Sequence, residues 1–192
     1  MNFIKSNIGF IIGLTLLITI ALVPEAKSLI LKGLIKTGLY EPDFVSGEDN
    51  KQAAAPPAVF LSSTGERVDI ADSRGKVIFL NFWAAWCPPC LAEMPDINKL
   101  AAQFKDERNV IFLMANVDGD LNASENFLKK KGYYINAFIP VGTVPKQIFE
   151  GSLPTTVIIN KSGEVAYMHE GIADYGSLET TEFIKRLVDE KR

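Results

Sequence analysis

Cysteine and histidine are scarce in this 192-residue chain, which has two cysteines and one histidine. A bridge between Cys87 and Cys90 would close too short a loop to constrain the unfolded chain, so a structural staple is excluded. A closed zinc site needs four ligands, and His169 is the sole addition to the two thiols unless carboxylates or a partner contribute. A c-type haem site would need histidine where Leu91 follows Cys90. We therefore expect no metal and no other cofactor.

A basic surplus is also absent, since the formal net charge is -3 and the isoelectric point is about 5.3. Nucleic-acid binding depends on a positive surface that neutralises phosphates, so this class of partner is disfavoured. The length and the 47% hydrophobic content fit one domain with a true core, with some chain left for a targeting segment. The sequence contains no internal repeat.

The N-terminus contains an uncharged run from Ile8 to Val23, which suits a single transmembrane helix of borderline length. A cleaved signal peptide competes with this interpretation, but Pro24 and Glu25 stand where small residues should precede the cleavage site. We therefore interpret residues 1–27 as a membrane anchor, with a signal peptide as the alternative. Lysines on both sides of the run leave the topology open by charge alone.

Residues 28–57 join this segment to the folded domain. The stretch "SLILKGLIKTGLY" spaces its leucines as an amphipathic helix, which would lie on the membrane surface or dock on the domain. The following "EPDFVSGEDNKQAAAPP" lacks a period and is typical of a linker. The folded domain is expected over residues 58–192.

Strand and helix patterns alternate within that domain. "AVFLSSTGERVDI" predicts a hairpin, and "KVIFLNFW" and "NVIFLMANV" predict buried strands on either side of a helix. Helices are also predicted over Ser124–Lys131, around Pro145–Glu150, and at the end of the chain, where Ser177 is the cap. The pair "TTVIIN" and "EVAYMHE" predicts a second hairpin. This order describes an α/β fold with a central sheet and helices on both faces.

The two cysteines lie where a buried strand ends and a helix begins. A helix N-terminus favours an anion, so Cys87 is the expected nucleophilic thiolate, and Cys90 can resolve the mixed disulfide that Cys87 forms. Pro88 and Pro89 have no N–H, which leaves the amide of Cys90 as the main donor to the Cys87 sulfur. We expect the pKa of Cys87 to be lowered only moderately.

These residues resemble the thioredoxin superfamily, and more narrowly the membrane-anchored TlpA/ResA-like thiol-disulfide oxidoreductases of bacteria. The resemblance rests on "GKVIFLNFWAAWCPPCLAEMP", on Pro95 five residues after Cys90, and on "SLPTTVIIN". It implies a thioredoxin-like fold with a mixed sheet. It also implies a cis bond between Leu153 and Pro154 beside the active site.

The resemblance also assigns roles to single residues. Asn81 replaces the buried aspartate of ordinary thioredoxins, so Glu93 is the expected proton acceptor for Cys90; its alternative role is that of an ordinary acidic residue in the first helical turn. Substrate binding is expected at Trp86, Pro88, Leu153 and Pro154. For Trp86 the alternative is a packed indole.

The function implied is the exchange of thiols and disulfides with partner proteins on the extracytoplasmic (periplasmic) side of the bacterial cytoplasmic membrane. The family suggests reduction, including that of apocytochromes c in cytochrome c maturation, with a membrane thiol-transfer protein as electron donor. An oxidant or isomerase of the same fold stays open. From a different class, a non-catalytic metal chaperone or binding module stays open too.

Overall fold

A seven-stranded sheet forms the centre of the computed structural model, which describes residues 7–36, 40–44 and 53–190. Its strands are β1 (Val59–Ser62), β2 (Arg67–Asp69), β3 (Val77–Trp83), β4 (Val110–Asn116), β5 (Ala137–Val141), β6 (Thr155–Ile159) and β7 (Val165–Glu170). Their spatial order is β2-β1-β5-β4-β3-β6-β7. Strand β3 pairs parallel with β4 and antiparallel with β6, so the sheet is mixed, as expected.

Within these ranges five α-helices accompany the sheet: α1 (Ile8–Leu22), α2 (Pro24–Leu34), α3 (Pro88–Gln103), α4 (Leu121–Lys130) and α5 (Leu178–Asp189). Side-chain oxygens cap two of them. The Ser177 hydroxyl accepts from the N–H of Thr180 at the start of α5, as the sequence predicts, and Asp120 accepts from the N–H of Ala123 at the start of α4. Helix α3 joins two parallel strands, which places its N-terminus directly after β3.

The expectation of helices on both faces of the sheet is wrong within the described chain. The core residues of α3, α4 and α5 all pack on the face that carries Phe79 and Trp83 of β3, which we call the helical face. The opposite face, with Leu80 and Phe82, packs against residues such as Ile70 and Ile148 outside any helix.

The segment predicted as a helix around Pro145–Glu150 explains this difference. It makes only one turn, closed by the N–H groups of Ile148 and Phe149 on the carbonyl of Pro145. Glycines and prolines flank this turn closely, and such residues stop a helix from propagating. An irregular connection therefore covers this face of the sheet.

The N-terminal run forms helix α1, which ends at Leu22 because the next residue, Val23, is extended before Pro24. None of the helices in the parts of the chain that the structure describes has both the length and the apolarity that a bilayer crossing requires. Helix α2 follows and packs along α3, so the docked form of the predicted amphipathic helix is the one observed. Residues 37–39 of that predicted stretch lie outside the described residues.

The chain after α2 also contacts the domain. Ile35 is fully buried, and Phe44 stacks on Phe183 at 4.2 Å between ring centroids. The middle of the predicted linker, residues 45–52, lies outside the described part. The end of the linker is described, and there the N–H of Ala55 donates to the carbonyl of Gly163 in the β6–β7 turn at 2.8 Å. Backbone pairing with the domain therefore precedes residue 58.

Candidate active site

The two cysteines form a disulfide at the N-terminus of α3, with a sulfur–sulfur distance of 2.04 Å. Cys87 is the N-cap residue, and its sulfur accepts from the N–H of Cys90 at 3.3 Å, as expected from the prolines between them. Both side chains are buried, while Pro88 and Pro89 are partly exposed. A thiolate of Cys87 would therefore lie at the positive end of the helix dipole.

Glu93 lies one helical turn beyond Cys90 and is fully buried. Its Oε1 accepts from Asn81 Nδ2 at 2.8 Å, and its Oε2 accepts from the N–H of Ala173 at 3.4 Å. Burial raises the pKa of Glu93 from 4.5 to about 8, although these two hydrogen bonds lower it in part. A carboxyl group of this kind can gain and lose a proton near neutral pH, which proton transfer to and from a thiol requires.

Asn81 links Glu93 to the neighbouring strand. Its Nδ2 also donates to Thr156 Oγ1 at 2.9 Å, and the register of β3 and β6 places these two residues side by side. From the sequence, Asn81 indicated only that the buried aspartate of ordinary thioredoxins is absent. The structure adds that its amide orients the Glu93 carboxyl group, a role that residue type and spacing did not indicate.

Trp86 is 62% exposed, so the alternative of a packed indole is not the one observed. Its Nε1 donates to Asp118 Oδ1 at 2.7 Å, so the ring has a fixed partner on the loop after β4. The sequence around Asp118 and Asp120 begins like a calcium loop but lacks the glycine and the final glutamate that such a loop requires. In the structure Asp118 holds Trp86 and Asp120 caps α4, so both carboxylates have other roles.

The bond between Leu153 and Pro154 is cis, as the resemblance implies. Thr155, the next residue, pairs with Phe82 at the end of β3, which brings this segment beside the strand that leads to Cys87. Pro154 is buried and its carbonyl accepts from the N–H of Gly171, whereas the backbone of Leu153 makes no hydrogen bond within the described residues. The free backbone groups of Leu153 could therefore pair with an extended segment of another protein.

Two tyrosines near Glu93 were not singled out from the sequence. Tyr175 is fully buried and Tyr167 nearly so, and the charge of a Glu93 carboxylate acts on both. Tyr167 is on β7 and Tyr175 is in the loop before α5, so 74 and 82 residues respectively separate them from Glu93 in the chain. Only the register of the sheet and the path of that loop reveal the cluster.

Comparison with known proteins agrees with this geometry. The sequence profile of the Redoxin family matches residues 48–182. The thiol-disulfide oxidoreductase ResA of Bacillus anthracis is 34% identical over 139 residues, which cover 71% of this chain and 80% of that protein.

Solved structures give the same picture. A thiol:disulfide interchange protein of the thioredoxin family from Chlorobium tepidum TLS superposes with a TM-score of 0.58 at 25% identity, over 73% of this chain and 99% of the other. The exposed lipoprotein thioredoxin of Streptococcus pneumoniae superposes with a TM-score of 0.52 at 25% identity, over 67% of this chain and 99% of the other.

Proposed function

Because this chain belongs to the Redoxin family and is a ResA-like thiol-disulfide oxidoreductase, we propose that it reduces disulfides of partner proteins outside the cytoplasm. The observation that carries the proposal is the pairing of Cys87 and Cys90 with a buried carboxyl group, Glu93, one turn behind them. That carboxyl group supplies a proton acceptor in place of the aspartate that Asn81 replaces.

The proposed reaction has two exchange steps. The Cys87 thiolate attacks one sulfur of the substrate disulfide, forms a mixed disulfide and releases the other substrate sulfur as a thiolate. Glu93 then takes the proton of Cys90, whose thiolate attacks the Cys87 sulfur and breaks the mixed disulfide. The substrate leaves as a dithiol after its sulfurs are protonated, and the enzyme is left with the Cys87–Cys90 disulfide.

A dithiol donor must return two electrons to this disulfide, and we propose a membrane thiol-transfer protein in this role. When the donor opens the disulfide, neutral Glu93 can give its proton to the leaving Cys90 sulfur. The resemblance extends the proposed substrates to apocytochromes c, as in some members of the family.

We propose that substrates dock across Trp86, Pro88, Leu153 and Pro154. The exposed indole of Trp86 offers an apolar platform, and the free backbone of Leu153 offers strand-like pairing. Trp86→Ala should raise KM for a protein disulfide about tenfold with little change in kcat, since a platform contributes to ground-state and transition-state binding alike. An unchanged KM would remove Trp86 from the proposed docking surface.

We also propose that residues 1–27 attach the chain to the bacterial cytoplasmic membrane with the catalytic domain outside. Helix α1 supports this, because it contains no charged residue and exposes large apolar side chains such as Phe10 and Leu22. In cell fractionation the full chain should stay in the membrane pellet after an alkaline wash, which releases peripheral proteins. Its recovery in the supernatant would contradict attachment through an inserted segment.

A trapping experiment tests the exchange reaction itself. Cys90→Ser should accumulate mixed disulfides with partner proteins through Cys87, whereas Cys87→Ser, the matched control, should trap none. A metal chaperone or binding module would instead act without forming these adducts. Equal yields from the two variants would contradict the assigned roles.

The equilibrium with glutathione tests the direction of electron flow. A reductant should have a potential below about -220 mV, and a value near about -120 mV would identify an oxidant.

A further inference from the structure

Two rows of side chains cross strands β3, β6 and β7 on the helical face. Each row consists of residues that the strand register places directly opposite one another, with their side chains on the same face. The rows are Asn81–Thr156–His169 and Phe79–Ile158–Tyr167. Asn81 holds the Glu93 carboxyl group over the first row. Tyr167 in the second row therefore lies on the same surface as the polar cluster at Glu93.

The loop from Ala173 to Gly176 runs along α3 above these rows. The N–H of Ala173 donates to Glu93 at 3.4 Å, and a Cβ added to Gly176 would lie 3.0 Å from the Cβ of Asp96. These two contacts fix Tyr175 between them, with its ring edge-on to Phe79 at 5.2 Å. Tyr175 thus projects between α3 and the sheet beside the Glu93 site.

The hydroxyls of Tyr167 and Tyr175 are buried polar groups without a satisfied hydrogen bond. The Tyr175 hydroxyl lies within weak hydrogen-bonding range of Tyr167 and Thr156, but neither tyrosine hydroxyl makes a hydrogen bond of good geometry with a described protein atom. Buried polar atoms are almost always paired in native proteins, so unpaired ones call for a functional reason. A buried carboxyl group that becomes an anion would supply the missing acceptor.

Both tyrosines stay neutral donors while Glu93 titrates. Burial raises the pKa of Tyr175 well above its usual value, and the charge of Glu93 raises it further. Burial also raises the pKa of Tyr167 to about 12, and the charges of Glu93 and Asp43 add to this effect. An un-ionised phenol can donate to a carboxylate but cannot repel it, so these groups can only favour the charged form of Glu93.

Other charged or titratable groups lie on the elements packed around this cluster. On α3, Asp96 is bound by Lys36 and Lys99; His169 ends the first row on β7; Asp174 lies in the loop with Tyr175; and Asp43 lies before Phe44. Within the described residues, neither lysine nor arginine forms an ion pair with Glu93. Hydrogen-bond donors are therefore the means available to stabilise its carboxylate.

We propose that Tyr175, supported by Tyr167, is a positioning residue whose hydroxyl donates to the Glu93 carboxylate each time Cys90 exchanges its proton. The phenol adds a third donor to those of Asn81 and Ala173. It holds the anion in the orientation that accepts the Cys90 proton, and it releases the carboxyl group when the proton arrives. This inference rests on the proposed role of Glu93 and deepens it.

The test is a direct titration of Glu93 in the disulfide form of the full chain, where neither cysteine titrates. The side-chain carboxyl carbon of Glu93, labelled with ¹³C and assigned by its loss in Glu93→Gln, is followed by NMR from pH 5 to 11. Burial with Asn81 and Ala173 as the donors leaves the pKa of Glu93 at about 8, so an additional phenol donor should bring the midpoint of the unchanged chain below 8. Tyr175→Phe should raise it by about one to two pH units, the shift that loss of a hydrogen bond to a charged group corresponds to. Tyr167→Phe should raise it by less.

The matched control is Tyr134→Phe, which removes a hydroxyl from an exposed ring and should leave the midpoint unchanged. An unmoved midpoint in Tyr175→Phe would overturn the proposal, even if the variant were less stable, because a purely structural hydroxyl would affect only folding. If Tyr175→Phe does not fold, an unmoved midpoint in Tyr167→Phe overturns it instead. The titration uses no substrate, so a shifted midpoint in a chain without disulfide reductase activity would reject the proposed function and keep the hydrogen bond from Tyr175 to Glu93.

Discussion

Glu93 and Asp96 lie three residues apart on α3, and both carboxyl groups are almost completely buried. Their partners differ. Asp96 is 3.1 Å from the ammonium groups of both Lys36 and Lys99, whereas the hydrogen bonds of Glu93 come from neutral groups, Asn81 and the N–H of Ala173. The same helix thus presents one buried carboxylate with compensating charges and one without them.

The difference shows that the charged and hydrogen-bonding partners of a buried carboxyl group, and not its burial alone, determine its protonation state and its role. Asp96, through Lys36, connects the segment after α2 to the domain, so its charge serves structure. Glu93 lacks such a cation, so its charged form is costly and its proton is held to unusually high pH. We therefore expect changes at the two positions to have opposite effects on stability.

The largest expected effect is on the pH dependence of unfolding. Because the pKa of Glu93 is about 8 in the folded chain instead of 4.5, the folded state holds a proton that the unfolded state loses. The free energy of unfolding should fall as pH rises from about 4.5 to about 8, by as much as about 5 kcal/mol. Glu93→Gln keeps the side-chain shape and should abolish this decrease, so the variant should be the more stable protein at pH 9.

Urea unfolding of the disulfide forms at pH 5 and pH 9 measures this difference. Equal pH dependence in the unchanged chain and in Glu93→Gln would show that Glu93 is not the uncompensated carboxyl group.

A smaller effect of opposite sign is expected at Asp96. Asp96→Asn removes the charge that binds two lysines and should lower the free energy of unfolding at pH 7 by about 1 to 3 kcal/mol. The lower part of this range is favoured because both lysine side chains are half-exposed or more. Asp106→Asn, on an exposed residue of the same region, is the control and should change stability by less than about 0.5 kcal/mol. If Asp96→Asn were neutral or stabilising in urea unfolding, the contrast between the two acids would fail.

Gly176→Ala tests the contact that brings the Tyr175 loop against Asp96. A Cβ at this position would lie 3.0 Å from the Cβ of Asp96, so the loop or the helix must shift. We expect a loss of about 1 to 2 kcal/mol in thermal or urea unfolding, as for other overpacked sites. Gly33→Ala on α2 meets open space and should be neutral or stabilising by up to about 1 kcal/mol. Equal changes in the free energy of unfolding for the two variants would mean that the loop at Gly176 is not in close contact with Asp96.

The smallest effect is expected at Lys36, whose side chain is 48% exposed. Lys36→Met should lower the free energy of unfolding by about 0.5 to 1 kcal/mol, since solvent weakens the ion pair and Asp96 keeps Lys99. In Asp96→Asn the same lysine change should cost less still, because one of the two carboxylate partners of Lys36 has gone and only Asp174, at 3.3 Å, remains. A double-mutant cycle in urea measures this coupling, and strictly additive losses would argue against the Lys36–Asp96 contact.

The parts of this site that depend on local chain geometry were predictable from the sequence. Cys87 at a helix start, the Cys90 amide as donor and the Ser177 cap each involve neighbours within three residues, whose geometry the helix fixes. The cis bond before Pro154 followed from a resemblance and not from spacing. The buried strands followed from their continuous apolar runs.

Contacts between distant segments were not predictable in this way. Lys36 reaches Asp96 across 60 residues, and the N–H of Ala173 reaches Glu93 from a loop whose path no local pattern encodes. The missing helix at Pro145–Glu150 has a different cause, because its apolar spacing fits a helix but its flanking prolines and glycines allow only one turn. Sequence patterns predicted the elements better than the faces on which they pack.

The rate of disulfide reduction as a function of pH, in the unchanged chain and in Glu93→Gln, tests the central claim most directly. Removing the proton acceptor should slow reduction of a protein disulfide by about 10- to 100-fold near pH 7.5 and should abolish the rise in rate near pH 8. Asp96→Asn should keep that rise. If Glu93→Gln matched the unchanged chain at every pH from 5 to 9, Glu93 would not exchange a proton with Cys90, and the account of this site would be wrong.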